Sequence, residues 1–426
     1  MGIHLRTVLR RGMANAVERD DGGVTQARMV AVIAVSTLAM TVSYVDRQSM
    51  AALGPTVKRA LGMGHAEWGA LTSAFSIAYL LGAPLAGALV DRIGARRGLV
   101  VAVIVWSAVA AMHAMVTTFA VLFLLRILLG LAESPTYPAA ARAVGAVTPP
   151  RSRSGALAWL FTGSSVGAAI AGPAAIKIEA HTGSFRLAFI GIALVGVLYA
   201  PVFWFMTRHP TVAPLIERRE TRTRGSLREV WELLSEPAMR RNAVLIIASA
   251  PAIMLVLNWL PQLLEEQLGV PQRAQARYVW IPPLAFDAGA VIFGALASRR
   301  DRRNRSINDL VLFGALLEGC LAFVAWTKHP GAGVALCAVS MAGGGALYAL
   351  AAGDLFRRIG LARAGAAGGL AAASQSLAHI ITAPVVGKVL DRTHTYHDVV
   401  IVLGALAVPG ALIWTLWPIV DDPQSA

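Results

Sequence analysis

The sequence predicts an all-α membrane protein whose twelve transmembrane helices form two pseudo-symmetric six-helix bundles. Three observations lead to this prediction: apolar runs long enough to cross a bilayer, a bias of basic residues to one side of those runs, and a long polar segment after the sixth run. Together they describe a chain that lies mostly in lipid.

The composition is that of a chain surrounded by lipid. Of its 426 residues, 56% are hydrophobic and 15% are charged, and the mean hydropathy is +0.61, whereas soluble domains carry about 25% charged residues. The apolar runs of about 20 residues can cross roughly 30 Å of hydrocarbon, since a helix rises about 1.5 Å per residue. The predicted spans, numbered 1 to 12, cover residues 29–53, 69–90, 98–116, 119–141, 155–176, 187–206, 242–264, 276–297, 308–327, 332–353, 365–390 and 399–420.

The net charge of +14 reflects topology. Most of the 38 lysine and arginine residues lie in loops on the side of the N-terminus, as the positive-inside rule requires of cytoplasmic loops. We therefore expect both termini in the cytoplasm and the protein in the inner membrane, with no nucleic acid as partner. Residues 1–27 hold no apolar stretch of signal-peptide length, so we expect no cleaved leader.

The polar segment defines the domain organisation. We predict a cytoplasmic tail at 1–28, a six-helix bundle at 29–206, a cytoplasmic linker at 207–240, a second six-helix bundle at 241–420 and a short cytoplasmic tail at 421–426.

The linker contains the pattern of a short helix. Ser226 and Glu229 have capping-box spacing. Apolar residues follow at helical spacing, namely Leu227, Val230, Trp231 and Leu234. We interpret this segment as a helix on the inner membrane surface with Arg228 towards lipid headgroups, and a solvated linker helix is the alternative.

The end of span 2 carries a motif that identifies the family. It reads Gly87-Ala-Leu-Val-Asp91-Arg92-Ile-Gly94-Ala-Arg96-Arg97, and span 8 ends on a related Gly294-Ala-Leu-Ala-Ser298-Arg299. The first string resembles the G-x-x-x-D-R-x-G-x-R motif of major facilitator transporters. That resemblance implies the major facilitator fold, with a substrate held between the halves. It also implies a gating role for Gly87, Asp91, Arg92, Gly94, Arg96 and Arg97.

Four ionisable residues lie inside predicted spans, where charge is costly and usually functional. Asp46 and Arg47 are in span 1, and Arg126 and Glu133 are in span 4, seven residues apart on one helix face. Tyr44 shares a face with Arg47, whereas Asp46 points towards a neighbouring helix. Two guanidiniums suit a carboxylate or phosphate, so we expect an anionic substrate.

The two carboxyl groups are candidate proton sites. Burial in a medium of low dielectric favours a neutral carboxyl group, whereas a nearby guanidinium favours the ionised form. These opposed effects can bring proton binding into the physiological range, so Glu133 and Asp46 are our candidates for proton coupling. The alternative is that both carboxylates form fixed salt bridges to Arg47 and Arg126.

A narrower resemblance rests on the same residues. Tyr44-Val-Asp46-Arg47, the stretch from Phe75 to Tyr79 and the stretch from Arg126 to Pro138 resemble the anion:cation symporter family, which includes hexuronate and galactonate proton symporters. The resemblance implies that Arg47 and Arg126 bind the substrate carboxylate and that Asp46 and Glu133 take protons. Tyr79 matches a cavity tyrosine of that family.

Departures from the family pattern bear on the substrate. Sugar-acid members usually have Asn where Ser43 stands, an amide near Ser164 and polar residues early in span 7, where this chain is apolar around Ser249. We therefore expect a substrate less hydroxylated than a hexuronate, with Ser164 among the binding candidates.

The second half contributes weaker candidates. Asn258, Ser374 and Gln375 are candidates for contacts to the substrate. Asp287 and His379 could act in binding or in proton transfer, or could be structural, and Glu318 is interpreted as a structural group held by a neighbouring helix.

Other functional classes are disfavoured. Gly163-Ser-Ser165-Val-Gly167 fits the G-x-S-x-G string of serine hydrolases, but it lies in an apolar run where spaced glycines favour helix packing. No phosphate-binding loop or metal-ligand spacing is present, so we expect no enzyme activity, no metal and no cofactor beyond the proton gradient.

The leading hypothesis is therefore proton-coupled symport of a small organic anion by alternating access between two bundles, in a protein that acts as a monomer. An organic-anion exchanger or facilitated carrier is the first alternative, and a membrane receptor that binds without transport is the second.

Overall fold

A computed structural model describes residues 24–149, 152–218, 227–303, 305–359 and 363–417. Within these ranges lie twelve helices long and apolar enough to cross a membrane, which confirms the predicted fold class. They correspond to spans 1 to 12 and are named in chain order: α1 Gln26–Ala52, α2 His65–Ile93, α3 Ala95–Met115, α4 Phe119–Val147, α5 Gly155–Thr182, α6 Phe185–Thr207, α7 Pro237–Glu266, α8 Gln272–Asp301, α9 Asn308–Trp326, α10 Pro330–Ile359, α11 Ala366–Thr393 and α12 His397–Leu416. The helices α1 to α6 form the N-half, and α7 to α12 form the C-half.

The two sides of the molecule are named by the course of the chain. The terminus face is the side on which α1 begins at Gln26 and α12 ends at Leu416. The distal face is the opposite side, where α1 ends at Ala52 and α2 begins at His65. A short helix, Gly54–Leu61, runs along the distal face between α1 and α2.

Proline interrupts α4 at the centre of the N-half. The first part of this helix ends at Glu133, and a second part resumes at Thr136 after Ser134 and Pro135. Proline cannot donate a backbone hydrogen bond and breaks a helix where it stands. The interruption therefore places Glu133 at the end of a helical segment inside the bundle.

Glycines bring α5 into backbone contact with α1. A Cβ atom on Gly163 or Gly167 would collide with the carbonyl oxygens of Thr37 and Thr41 on α1. The G-x-S-x-G string is thus a helix-packing surface within α5 and has none of the strand-to-helix geometry of a hydrolase elbow.

The halves meet from the centre of the molecule to the distal face. On α2, Ser73 Oγ donates to the carbonyl oxygen of Ile380 on α11, and Gln272 Nε2 at the start of α8 donates to the carbonyl oxygen of Ala52. A Cβ on Gly69 would strike the backbone of Ala383, so α2 and α11 touch along their main chains. The distal entrance between the halves is closed.

Ion pairs show the same asymmetry between the two faces. At the distal face, Lys58 pairs with Glu266 at 3.2 Å and joins the two halves. At the terminus face, pairs such as Arg241 with Asp354, at 2.9 Å, join residues of the same half. The described structure is therefore held together between the halves mainly on its distal side.

The linker contains a helix, Leu227–Ser235, at the position predicted from the sequence. Trp231 and Leu234 are exposed, whereas Leu233 is buried. Ser226, the tail residues 1–23 and 418–426, and the side chains of Leu227, Arg228, Glu229 and Val230 lie outside the described part of the structure. The location of the linker helix on the membrane and the domain boundaries stay predictions.

Candidate substrate-binding site

Arg47 is the centre of an aromatic cage near the distal end of α1. Its guanidinium carbon lies 4.7 Å from the ring centres of Tyr44 and Phe75 and 4.8 Å from that of Tyr79. The faces of aromatic rings attract cations. The cage therefore holds a permanent charge at membrane depth while 18% of the Arg47 side chain stays exposed.

Glu133 of α4 supplies the negative partner of this cage. Arg47 Nη2 donates to Glu133 Oε2 at 3.0 Å, and Ser43 Oγ donates to the same oxygen at 3.1 Å. The second oxygen, Oε1, is buried and has no hydrogen-bond partner among the described residues. Glu133 thus has one satisfied oxygen and one oxygen left to receive a proton.

Arg126 is a buried cation of a different kind. It is 4% exposed, and none of the ion pairs between described residues includes it. Its guanidinium carbon lies 4.6 Å from the ring centre of Phe75, which also contacts Arg47. Glu133 and Asp46 act on it electrostatically without a direct ion pair. Burial of a charge is costly unless another group compensates it. The position is therefore suited to an anion that arrives from outside the protein.

Asp46 points away from the cage, as the helical spacing predicts. It is buried, its carboxyl group lies beside the indole of Trp106 on α3, and Oδ2 has no hydrogen-bond partner among the described residues. Asp46 forms no ion pair among the described residues, although Glu133 and Arg126 act on it electrostatically, and Arg47 pairs with Glu133. The alternative of two fixed salt bridges predicted from the sequence is therefore seen for one pair, Arg47 with Glu133. Packing brings Glu133 of α4 next to α1, and Arg126 forms no ion pair among the described residues.

The C-half candidates lie opposite the cage with fewer free groups. His379 of α11 comes close to Arg47 across the interface, and its Nε2 has no hydrogen-bond partner among the described residues. Asp287 of α8 accepts a hydrogen bond of 2.6 Å from Ser165 of α5 and so joins the halves directly. The sequence pattern singled out Ser164, but Ser165 is the serine that reaches across.

Three of the predicted hydroxyl and amide contacts are occupied by their own helices. Ser164 Oγ donates to Phe161 O, Asn258 Nδ2 donates to Met254 O, and Ser374 Oγ donates to Leu370 O. Gln375 is partly exposed on α11. To a bound substrate, these groups therefore present acceptor oxygens but few free hydrogen-bond donors.

Glu318 of α9 lies away from the cage. It is fully buried, and Ser249 Oγ of α7 is 2.9 and 2.7 Å from its two carboxyl oxygens. A neighbouring helix therefore supplies a hydrogen-bond donor to it, which agrees with the structural role expected from the sequence.

The motif residues at the terminus face tie the N-half and the linker together. Asp91 pairs with Arg142 at the end of α4. Arg96 Nη1 donates to Glu217 at 3.1 Å. Gly94 has a φ of 87° and lies against the backbone of Glu217, so a side chain could not be accommodated there. Exposed positions of the motif are Arg92 and Arg97, and Gly87 has open space around it.

Several residues of the site were not among the sequence-based candidates. Phe75 lies between both guanidiniums, Ser43 donates to Glu133, and Trp106 lies beside Asp46. A single polar or aromatic residue in an apolar span gives no periodic signal. At the distal face, His65 and Asp391 were not among the predicted site residues, because charged residues at span ends are common.

Comparison with known proteins agrees with this architecture. Residues 36–383 match the family model of the Major Facilitator Superfamily. A bacterial homologue of the human lysosomal transporter Spinster, solved in an inward-facing and unoccupied conformation, superposes with a TM-score of 0.72 at 16% identity, covering 92% of this chain and 95% of that one. This likeness shows the fold.

Two relatives are similar over almost their whole length. The hexuronate transporter of Bacillus subtilis (strain 168) is 25% identical, with 92% of this chain and 96% of that protein aligned. The probable sulfoacetate transporter SauU of Cupriavidus necator is 24% identical, with 89% of this chain and 92% of that protein aligned. The relatives are carriers of small organic anions, and the motif, the twelve spans and the family match agree. The chain is a multi-pass membrane transporter that belongs to the Major Facilitator Superfamily.

Proposed function

We propose that this transporter carries small organic anions together with protons by alternating access. The observation that supports the proposal most directly is the unequal state of the two cations in the site. Arg47 is neutralised by Glu133, while the neighbouring Arg126 is buried without an ion-pair partner among the described residues.

The anionic group of the substrate binds at Arg126 first. Both guanidiniums contact Phe75, so their central carbons cannot be farther apart than those two contacts together. A carboxylate or sulfonate has oxygens that can accept from two guanidiniums at once. One anionic group can therefore bridge Arg126 and Arg47 once Arg47 is released.

Protonation of Glu133 provides that release. A proton added to Oε1 neutralises Glu133, and its ion pair with Arg47 loses its attraction. Without substrate, the charges of Arg47, Arg126, Asp46 and Glu133 cancel. A monovalent anion adds one buried negative charge, and one proton cancels it. Charge balance in a low-dielectric site therefore favours one proton for each negative charge of the substrate.

The substrate is an anion with few hydroxyl groups. The polar side chains placed to bind sugar hydroxyls are Ser164, Asn258 and Ser374. Each donates to a carbonyl group of its own helix, which leaves few donors for those hydroxyls. The two arginines and the aromatic cage are suited to bind the negative charge and an apolar surface of the substrate. This favours compact carboxylates or sulfonates over hexuronates, and a relative named for sulfoacetate is in keeping with it.

The orientation follows from the basic loops. The terminus face carries most of the lysine and arginine residues, so it is the cytoplasmic side of the inner membrane. The closed distal entrance then makes the described conformation inward-facing. We propose that the transporter acts as a monomer, since both gates and the site are formed within one chain.

Uptake into proteoliposomes tests this function. Labelled hexuronate, aldonate, sulfoacetate and simple carboxylates are supplied with and without an inward proton gradient. Accumulation that requires the gradient is expected, with the greatest uptake for the least hydroxylated anions. Counterflow without any gradient dependence would identify an exchanger, and binding without flux would identify a receptor.

A further inference from the structure

His65 joins the two halves at the distal face through both nitrogens of its ring. It is the first residue of α2, in the N-half. Nδ1 lies 3.0 Å from Asp391 Oδ1 on α11, and Nε2 lies 2.9 Å from Glu266 Oε2 on α7. One side chain therefore bridges the N-half to two helices of the C-half.

The two contacts require a particular protonation state of the ring. An ionised carboxylate can only accept hydrogen bonds, and a neutral imidazole carries one N–H group. Both contacts are hydrogen bonds only when the ring carries two protons and a positive charge. Loss of one proton leaves a nitrogen lone pair facing a carboxylate oxygen, which repels it.

The groups around His65 keep its partners ionised. Asp391 accepts from the backbone N–H groups of His65 and Ala66, each at 2.8 Å, and so caps the N-terminus of α2. Helix N-termini favour negative charge. Glu266 Oε1 accepts from Lys58 Nζ at 3.2 Å. Both carboxylates thus have a second reason to stay charged.

Three further ionisable groups lie near His65 and its partners. On its own helix, Glu67 accepts from the backbone N–H of Gly64. Beside Glu266, Glu265 pairs with Arg59, again between the halves. Tyr396, next to α12, is buried close to Glu266. The change of charge on His65 therefore acts on Asp391 and Glu266.

Close packing surrounds the His65 contacts at the closed distal entrance. The His65 ring stacks on the buried Trp259 of α7 with 6.2 Å between ring centres and an angle of 10°. A Cβ on Gly387 would strike the backbone of His65 and Ala66, so α2 and α11 touch along their main chains beside the histidine. About a fifth of the side chain is still exposed, 19%, so protons from the distal side can reach the ring.

We propose that His65 is a proton-operated latch that holds the distal entrance closed when its ring is doubly protonated. Acid on the distal side favours the closed, inward-facing state, and loss of the proton weakens the latch and favours opening. The latch rests on the alternating access contained in the proposed function. It does not depend on which anion is carried or on proton coupling at Glu133.

Distance measurement between the outer loops tests the latch. Spin labels are placed on cysteines at Thr117, an exposed loop residue of the N-half, and Lys328, an exposed loop residue of the C-half, after Cys320→Ala and Cys337→Ala replacement. Purified protein without any anion is studied in lipid nanodiscs at about pH 5.5 and about pH 8, the range in which histidine titrates. The ratio of short to long distances is expected to fall about fivefold or more on raising the pH, the low end of couplings seen in proteins.

Two variants assign this response. His65→Gln removes the ionisable ring and is expected to lose most of the shift. His65→Lys introduces a permanent positive charge and is expected to keep the short distance at both pH values. His397→Gln is the matched control, because His397 Nδ1 contacts Asp398 at 2.9 Å within the C-half on the same face. It is expected to keep the full shift.

The proposal is overturned if the wild-type distances do not respond to pH, if His65→Gln keeps more than half of the shift, or if His397→Gln loses as much as His65→Gln. Because the measurement contains no substrate, it is independent of the uptake assay. A latch response without gradient-driven uptake would leave the latch standing and remove the symport.

Discussion

Arg47 of α1 and Glu133 of α4 form a buried ion pair, with Nη2 and Oε2 3.0 Å apart. Arg47 is a candidate ligand for the substrate anion, and in this structure its guanidinium is paired with a carboxylate of the protein instead. In the proposed mechanism, this pair breaks in each cycle when Glu133 is protonated.

Glu133→Gln is expected to uncouple transport from the proton gradient. The amide keeps the shape of the side chain but cannot bind and release a proton. With one proton per monovalent anion, a gradient of about two pH units drives up to roughly hundredfold accumulation in the wild type, since each tenfold step is about 1.4 kcal/mol. The variant should only equilibrate the anion, while counterflow exchange of labelled for unlabelled anion persists.

The control for this variant is Asp398→Asn, an exposed carboxylate at the distal face that contacts His397 at 2.9 Å within the C-half, outside the site. It should keep gradient-driven accumulation. Full accumulation by Glu133→Gln would refute the assignment of this residue to proton coupling.

Arg126→Lys is expected to weaken anion binding strongly. Lysine keeps the positive charge but loses the planar pair of donors that a carboxylate or sulfonate needs. Removal of a buried charge-assisted contact costs about 2 to 5 kcal/mol, so the Kd should rise by about thirtyfold or more. Titration of the purified protein, followed by calorimetry or thermal shift, measures this change.

Arg303→Lys makes the same substitution at an exposed position of the terminus face and should leave the Kd unchanged. If Arg126→Lys binds with wild-type affinity, the anion does not use this guanidinium, and Arg47 alone would have to hold it.

Much of the fold could be predicted because the lipid environment limits which structures a chain can form. Twelve apolar runs have to be helices in lipid, since each backbone group needs a partner within its own segment. The ends of spans were less certain: the predicted first span ends at residue 53, and α1 ends at Ala52. Pro135 in the sequence indicates an interruption of α4, but it does not indicate which neighbouring helix the Glu133 side chain contacts.

The site could be predicted only as a set of residues. The spacing on α4 places Arg126 and Glu133 on one face, yet Glu133 pairs with Arg47 on another helix. Spacing along one helix cannot reveal which neighbour packs beside it. The aromatic ring shared by both arginines, Phe75, and the distal latch at His65 come from tertiary packing for the same reason.

Glu318 tests whether a fully buried acid in the C-half takes part in transport. Because its two oxygens contact Ser249 and no ion pair between described residues includes it, we expect Glu318→Gln to transport normally. Glu318→Ala should lower the stability by about 1 to 3 kcal/mol, since the Ser249 hydroxyl loses its partner. Thermal unfolding in detergent and uptake in vesicles measure the two effects. Loss of gradient-driven uptake in Glu318→Gln would instead make this residue a second proton site.

The hydrogen bond between Ser165 of α5 and Asp287 of α8 is expected to stabilise the inward-facing state. It is 2.6 Å long and joins the halves near the membrane centre, so it has to break when the halves rotate apart. Ser165→Ala and Asp287→Asn should each weaken this state, and in the double variant the two effects should overlap by about 1 kcal/mol, as expected for residues in direct contact. The spin-label distances described for the latch, measured in both single variants and the double variant, give this coupling.

Ser164→Ala is the matched control, because Ser164 donates to the Phe161 carbonyl of its own helix and should not change the distances. Strict additivity of the Ser165 and Asp287 variants would mean that the contact carries no weight in the conformational equilibrium, and that the distal pairs alone hold the entrance closed.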